Sequence, residues 1–174
     1  MPNNTFKEDL SIGKLIEKHV LLNIQKKYPK ARLIEGYCKE YDIWIPEKNI
    51  GIEVKFDAKS NFTGNIVIEI EMFNKPSALI TTKADSWIFY DKHKFVSIKV
   101  IDIYNCIIQN KYQYTTFIGK GDTQPKKAFL IKKELLYSYG KELGWGNPSI
   151  EWRKAHHEPP DKPGKVFNRL NQAH

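Results

Sequence analysis

Two cysteines, Cys38 and Cys106, are all that 174 residues offer. A pair without Cys-x-x-Cys spacing builds neither a disulfide framework nor a four-cysteine zinc site. Long apolar runs are missing as well. No stretch approaches the roughly 18 uninterrupted apolar residues that a membrane span needs. The first residues, Met1-Pro2-Asn3-Asn4-Thr5, carry no apolar signal core, so a cytoplasmic protein off the membrane is expected. Internal repeats are lacking. Gly119-Lys120-Gly121-Asp122 has the glycine spacing of neither a phosphate-binding P-loop nor a dinucleotide fingerprint, and reads as a hairpin loop.

What remains is an ordinary globular composition, 41% apolar and 28% charged, on a chain of one-domain length. Its charge is lopsided. Lys and Arg number 28 against 20 Asp and Glu, a formal net charge of +8. Residues 1–87 hold 13 basic and 12 acidic side chains, a net of +1, and residues 88–174 hold 15 and 8, a net of +7. A basic excess gathered in one half points to an anionic partner, with DNA or RNA ahead of a membrane surface. Solubility alone would account for the same excess.

Ser11 can cap a helix reaching Tyr28, where Pro29 ends it. Ile12, Leu15, Ile16, Val20 and Ile24 recur at the spacing of one helical face, with Glu17 at its edge. Short β-like runs follow at Leu33–Tyr37, Tyr41–Ile45 and Ile50–Phe56, the last two joined by a turn at residues 46–49. In the third run Ile50, Ile52, Val54 and Phe56 point one way, and Glu53, Lys55 and Asp57 the other. Asn65–Met72 alternates in the same manner. Trp87–Tyr90, Phe95–Ile101, Tyr114–Ile118 and Ala128–Ile131 read as strands, the last two as a hairpin. Helices are expected from Asp102 to Ile108 and from Glu134 to Leu143. The pattern predicts an α/β domain over residues 1–146, with a central mixed β-sheet flanked by helices. Residues 147–174 read as a basic, Pro-containing tail.

The residues that promise chemistry are Asp42 and Glu53-Val54-Lys55. Phosphodiester hydrolysis needs a divalent metal to bind phosphate oxygens and acidify a water, carboxylates to hold that hard cation, and a cation to steady the developing charge. Two acids on neighbouring strands and a lysine ~6.6 Å along the same strand face supply the set. Glu53 and Lys55 could instead be the polar face of an edge strand. Acids clustered on adjacent strands with little local charge to offset them are costly unless a cation binds, and that favours chemistry.

Asp42, a ten-residue gap, and Glu53-x-Lys55 resemble the signature of the PD-(D/E)XK nuclease superfamily. That superfamily spans restriction enzymes, Holliday junction resolvases and phage or bacterial repair nucleases. Tyr41 stands where its proline is usual. The helix bearing Glu17, the strand Asn65–Glu69 and the segment Lys75–Trp87, where a crossover helix would lead into the strand Trp87–Tyr90, resemble its following elements, over roughly residues 10–140. The resemblance implies a restriction-endonuclease-like core. It implies that Asp42 and Glu53 bind Mg²⁺ or Mn²⁺, with the Val54 carbonyl as a further ligand, and that Lys55 orients the attacking water or neutralises the scissile phosphate. Glu17 would join the metal directly or through water. Glu69 would be a fifth member, favoured over Glu71 because it lies nearer the strand centre. For Glu71 and Asp57 a surface role is preferred.

The cations expected to meet the nucleic-acid backbone are Lys111, Lys120, Lys126, Lys127, Lys132 and Lys133, with Arg153, Lys154, Lys162, Lys165 and Arg169 in the tail. Trp145, Trp152 and Tyr139 are read as anchors of the tail more than as base-stacking platforms. His156-His157 has no partner pattern for a metal, and His19 reads as a partly buried helix residue. The expectation is therefore a metal-dependent DNA endonuclease, junction resolvase-like or restriction-like, acting as a homodimer because two strands need two sites. Its rivals are a non-catalytic nucleic-acid-binding protein that retains the nuclease fold, and hydrolysis directed at RNA.

Overall fold

The structure, a computed structural model, describes residues 4–36, 39–119 and 122–148. Helix α1 spans Asn4–Gln25. It starts well before Ser11, because no glycine or proline interrupts Thr5–Leu10. Its end is nearer the expected one: the Ile24 carbonyl accepts the amides of Lys27 and Tyr28 at 3.0 and 2.9 Å, one turn before Pro29. The buried stripe is Ile16, His19, Val20, Asn23 and Ile24, whereas Ile12 is exposed.

Three strands follow as an antiparallel meander, β1 (Arg32–Leu33), β2 (Ile43–Ile45) and β3 (Ile50–Phe56). The turn at residues 46–49 sets the register, Ile45 facing Ile50 and Ile43 facing Ile52. The chain then folds a single helical turn, α2 (Ser60–Thr63), closed by Gly64 at φ 71°. The alternating strand β4 (Asn65–Met72) turns at Phe73 and Asn74, both at positive φ, into β5 (Lys75–Pro76). A 3₁₀ turn at Ala78–Ile80 leads to β6 (Ser86–Tyr90) and β7 (Phe95–Lys99). Helix α3 (Val100–Gln109), the hairpin β8 (Tyr114–Phe117) and β9 (Lys126–Lys132), helix α4 (Lys133–Ser138) and β10 (Lys141–Leu143) complete the order.

The strands form two sheets. One is mixed, in the order β1-β2-β3-β6-β7-β10, with β3 and β6 parallel and the other neighbours antiparallel. The other has the order β5-β4-β9-β8 and is antiparallel. The α/β class and the mixed sheet match the sequence reading. Three particulars differ. Asn65–Met72 belongs to the second sheet and does not extend the first. The connection from β3 to its parallel neighbour β6 holds no α-helix longer than the four residues of α2 among the described residues. The expected helix over Glu134–Leu143 also stops early. Gly140 lies so close to β7 that an added Cβ would stand 2.7 Å from the Ser97 carbonyl, and residues 141–143 pair with β7.

Two apolar cores separate three layers. Ile16, Val20 and Ile24 of α1 pack with Ile43, Ile45, Ile52, Ile88 and Phe95 on one face of the mixed sheet. Trp87, Phe89, Val96 and Ile98 on its other face meet Ile66, Ile68 and Ile131 of the second sheet, with Ile103, Cys106 and Leu136 from α3 and α4. No helix of the described residues is long and apolar enough to cross a membrane.

Candidate active site

Asp42 enters β2 one residue ahead of Ile43. Its backbone is pinned on both sides: its amide donates to the Ile52 carbonyl at 2.9 Å and its carbonyl accepts from the Ile34 amide at 2.8 Å. The residue is 3% exposed. Because β2 pairs with β3 only as far as Ile52, the next outward amide of β3 has no strand to meet. Asp42 Oδ2 accepts that Val54 N–H at 2.7 Å. Val54 is thus tied to Asp42 through its amide, whereas the sequence reading looked to its carbonyl.

Glu53 and Lys55 do share one strand face. Lys55 Nζ lies 2.8 Å from Glu53 Oε1. The same ammonium stands 4.8 Å from the centre of the Trp87 ring on β6, which is opposite Glu53 in the parallel ladder. Glu17 reaches toward this hairpin from α1. Burial raises its pKa, the Asp42 carboxylate raises it further and Glu53 adds to the effect, while Lys39 opposes them. Glu17 on the helix therefore feels both hairpin carboxylates.

The cation among them is one the sequence reading missed. Lys39 Nζ lies 2.5 Å from Asp42 Oδ1 and 3.4 Å from Glu17 Oε2. Partial burial disfavours its charge, but the hydrogen bond and attraction of Asp42, then Glu17, outweigh it and hold Lys39 above the usual lysine range. The only sequence signal was its position three residues before Asp42.

Glu69 lies on β4 across a cleft from the hairpin. That cleft, about 370 Å³, is lined by Lys55, Asp57, Glu69 and Trp87 among others. Glu69 accepts from Ser77 Oγ at 2.5 Å and lies 3.7 Å from Lys126. Glu71 pairs with Lys127 at 3.0 Å instead. A β-bulge between the two shifts the register against β9, so strict alternation could not decide which of them faces the cleft. Asp57 accepts the Ser60 amide at 3.0 Å at the start of α2.

A second cleft, sharing Trp87 and Ala78 with the first, runs past Glu53, Thr82, Lys83 and Lys39. A third shares Lys39 and lies between Glu17, Lys14 and Lys18 of α1 and Gly36. The acids thus sit along a trough flanked by cations of the nearly neutral half of the chain. Of the expected phosphate-binding lysines that are described, only Lys126 reaches one of these acids, Glu69. Lys126 pairs with Asp122 at 3.2 Å as well as Glu69, and Lys127 with Glu71. Lys133 is packed against Asp91 at 3.4 Å and donates to Asn61 at 2.7 Å. Lys111 and Lys132 are exposed. Lys120 and the tail from residue 149 on lie outside the described residues.

The donors suit a hard divalent cation in kind, being carboxylate oxygens, and the Lys39 ammonium stands in for a positive charge between Glu17 and Asp42. In number they are fewer: among the described residues no three His, Cys, Asp or Glu side chains are grouped so as to hold one metal ion. His19 is buried in α1, stacked on Phe95 with 5.2 Å between ring centres. Compared with family models, curated proteins and solved structures, the chain has no match.

Proposed function

We propose that the chain is a metal-dependent deoxyribonuclease of the PD-(D/E)XK kind, hydrolysing phosphodiester bonds. The observation that carries this reading is the convergence of Asp42, Glu53 and Lys55 on one β-hairpin with Glu17 beside them, close enough for Asp42 and Glu53 to raise its pKa. Asp42 and Glu53 would hold Mg²⁺ or Mn²⁺, which when bound supplies a Lewis acid for phosphate oxygens and an acidified water. Asp42 is fixed for that task by the Val54 amide. Lys55, borne on the same face as Glu53, presents a positive charge where a scissile phosphate would pass. Lys39 would give up Asp42 as the metal arrives. Lys14, Lys18 and Lys83 along the trough would meet flanking phosphates. The protein would act on DNA as a homodimer, one site for each strand.

Incubation with supercoiled, linear and branched DNA, and with RNA, in Mg²⁺, Mn²⁺ or EDTA tests the reading. Cleavage is expected with metal only, and Lys55→Ala should lower it by on the order of 10²–10³-fold. Metal-independent cleavage, or none on any substrate, would overturn it. A non-catalytic nucleic-acid-binding role is the second reading. The Lys39–Asp42 contact, which occupies a carboxylate that a metal would need, favours it. It predicts salt-sensitive DNA binding without cleavage.

A further inference from the structure

Trp87 has no role in the chemistry so far, yet it borders both clefts beside the acid hairpin. It is 2% exposed, and its place on β6 is opposite Glu53. The ring is fixed from two directions. Its indole N–H donates to Thr82 Oγ1 at 3.3 Å, and that oxygen also accepts the Ala84 amide at 3.2 Å. Phe89 packs on it at 6.0 Å between ring centres, tilted by 48°. Against this fixed ring stands the Lys55 ammonium, 4.8 Å from its centre.

We propose that Trp87 is a positioning residue for Lys55: its indole face keeps the ammonium over the site when the Glu53 carboxylate turns to a metal ion. The inference rests on the nuclease reading. Lysine carries its charge on a flexible four-carbon stem, so something must restrict it if it is to meet one phosphate oxygen. The Glu53 pair alone is a poor restraint, because the two side chains are 23% and 33% exposed and exposed pairs hold weakly. It would also be a restraint that fails at the moment of use, since a divalent ion held by Glu53 would compete for the same carboxylate. The π-face of an indole attracts a cation without offering an oxygen to a metal, so its hold on Lys55 persists. The Thr82 hydrogen bond sets the angle of that face.

The test compares wild type, Trp87→Phe, Trp87→Leu and Thr82→Val, each as the full chain, in plasmid cleavage with Mg²⁺. Trp87→Leu is expected to lower kcat about tenfold while KM stays within about twofold. Trp87→Phe, which keeps an aromatic face, should recover most of the loss. Thr82→Val loosens the ring without opening the core and should show a smaller fall in kcat, so the test survives if Trp87→Leu does not fold. A readout independent of turnover is the emission of Trp87, taken as the difference between a protein and its Trp87→Phe counterpart. Lys55→Met should change it, and Lys99→Met, at an exposed site, should not. Unchanged emission in Lys55→Met, wild-type kcat in Trp87→Leu, or equal losses in the Phe and Leu variants would overturn the proposal. A wild-type protein that cleaves nothing sinks the nuclease reading itself, and the positioning role with it. Cleavage that ignores Trp87 sinks only the latter.

Discussion

Lys39 and Asp42 show how a single side chain sets the state of the site. Asp42 spends one oxygen on the Val54 amide and the other on the Lys39 ammonium. On the proposed function, a divalent ion at Asp42 would compete with Lys39 for that carboxylate. Lys39→Met keeps the stem and removes the competitor. It should tighten Mn²⁺ binding by about fivefold, the worth of ~1 kcal/mol for a partly exposed ion pair, as titration calorimetry would show. Weaker binding would mean that the ammonium assembles the acids instead of competing for them. The acids themselves were legible in the sequence, because strand alternation puts Glu53 and Lys55 on one face whatever the register, and a short turn brings Asp42 alongside. Lys39 was not. Its approach depends on how the loop between β1 and β2 folds back, and no periodicity describes a loop. The lysines expected at DNA follow from charge along the chain, and two of them face acids that strand pairing brings across from distant positions, Lys126 near Glu69 and Lys127 at Glu71, while Lys133 meets Asp91 from α4.

At the scale of elements, alternation succeeded where a strand is long and one-sided. Ile50–Phe56 and Asn65–Met72 have the bounds their patterns predict. Which sheet each joins was not legible, since an alternating strand carries no label for its partner. The last element was misread for a different reason. Lys141-Glu142-Leu143 has helix-favouring side chains, and local propensity continues α4 through them. Tertiary pairing overrides that preference: Lys141, Glu142 and Leu143 face Ser97, Val96 and Phe95 of β7. Gly140 makes the approach possible. An added Cβ there would meet Ile98 Cγ1 at 2.6 Å and the Ser97 carbonyl at 2.7 Å, and a backbone oxygen cannot swing aside. Gly140→Ala should destabilise the fold by about 1–3 kcal/mol in urea unfolding. An unchanged midpoint would mean that β10 can shift away from β7 without loss, and that the strand adds little to the sheet.

Across the whole molecule, the two sheets are joined by a polar knot at their common end as well as by the apolar core between them. Asp91, just after β6, is 1% exposed. Its Oδ1 accepts the amides of His93 and Lys94 at 2.9 and 3.0 Å. Its Oδ2 accepts from Tyr137 Oη at 3.3 Å and faces Lys133 Nζ at 3.4 Å, both from the α4 side, and its carbonyl accepts from Asn61 Nδ2 at 2.5 Å. Burial alone would push the Asp91 pKa up. The two amides and the Lys133 ammonium outweigh it, and the group lies below the ordinary carboxylate value. A folded pKa below the unfolded one means stability that is present in full above about pH 4 and is lost as pH falls through the folded value. Burial, reinforced by the same carboxylate, holds the Tyr137 hydroxyl far above its usual range, so Tyr137 stays a donor throughout. Asp91→Asn keeps an acceptor for the two amides but leaves Lys133, whose side chain is 13% exposed, without its carboxylate. Stability at neutral pH should fall by about 2–3 kcal/mol. The difference from wild type should shrink as pH is lowered from 5 toward 2, because only the wild type loses this contribution there. Urea titrations across that range measure both effects. A gap that stays constant with pH would place the cost in packing and not in the charge, and the knot would then be a steric joint between the sheets.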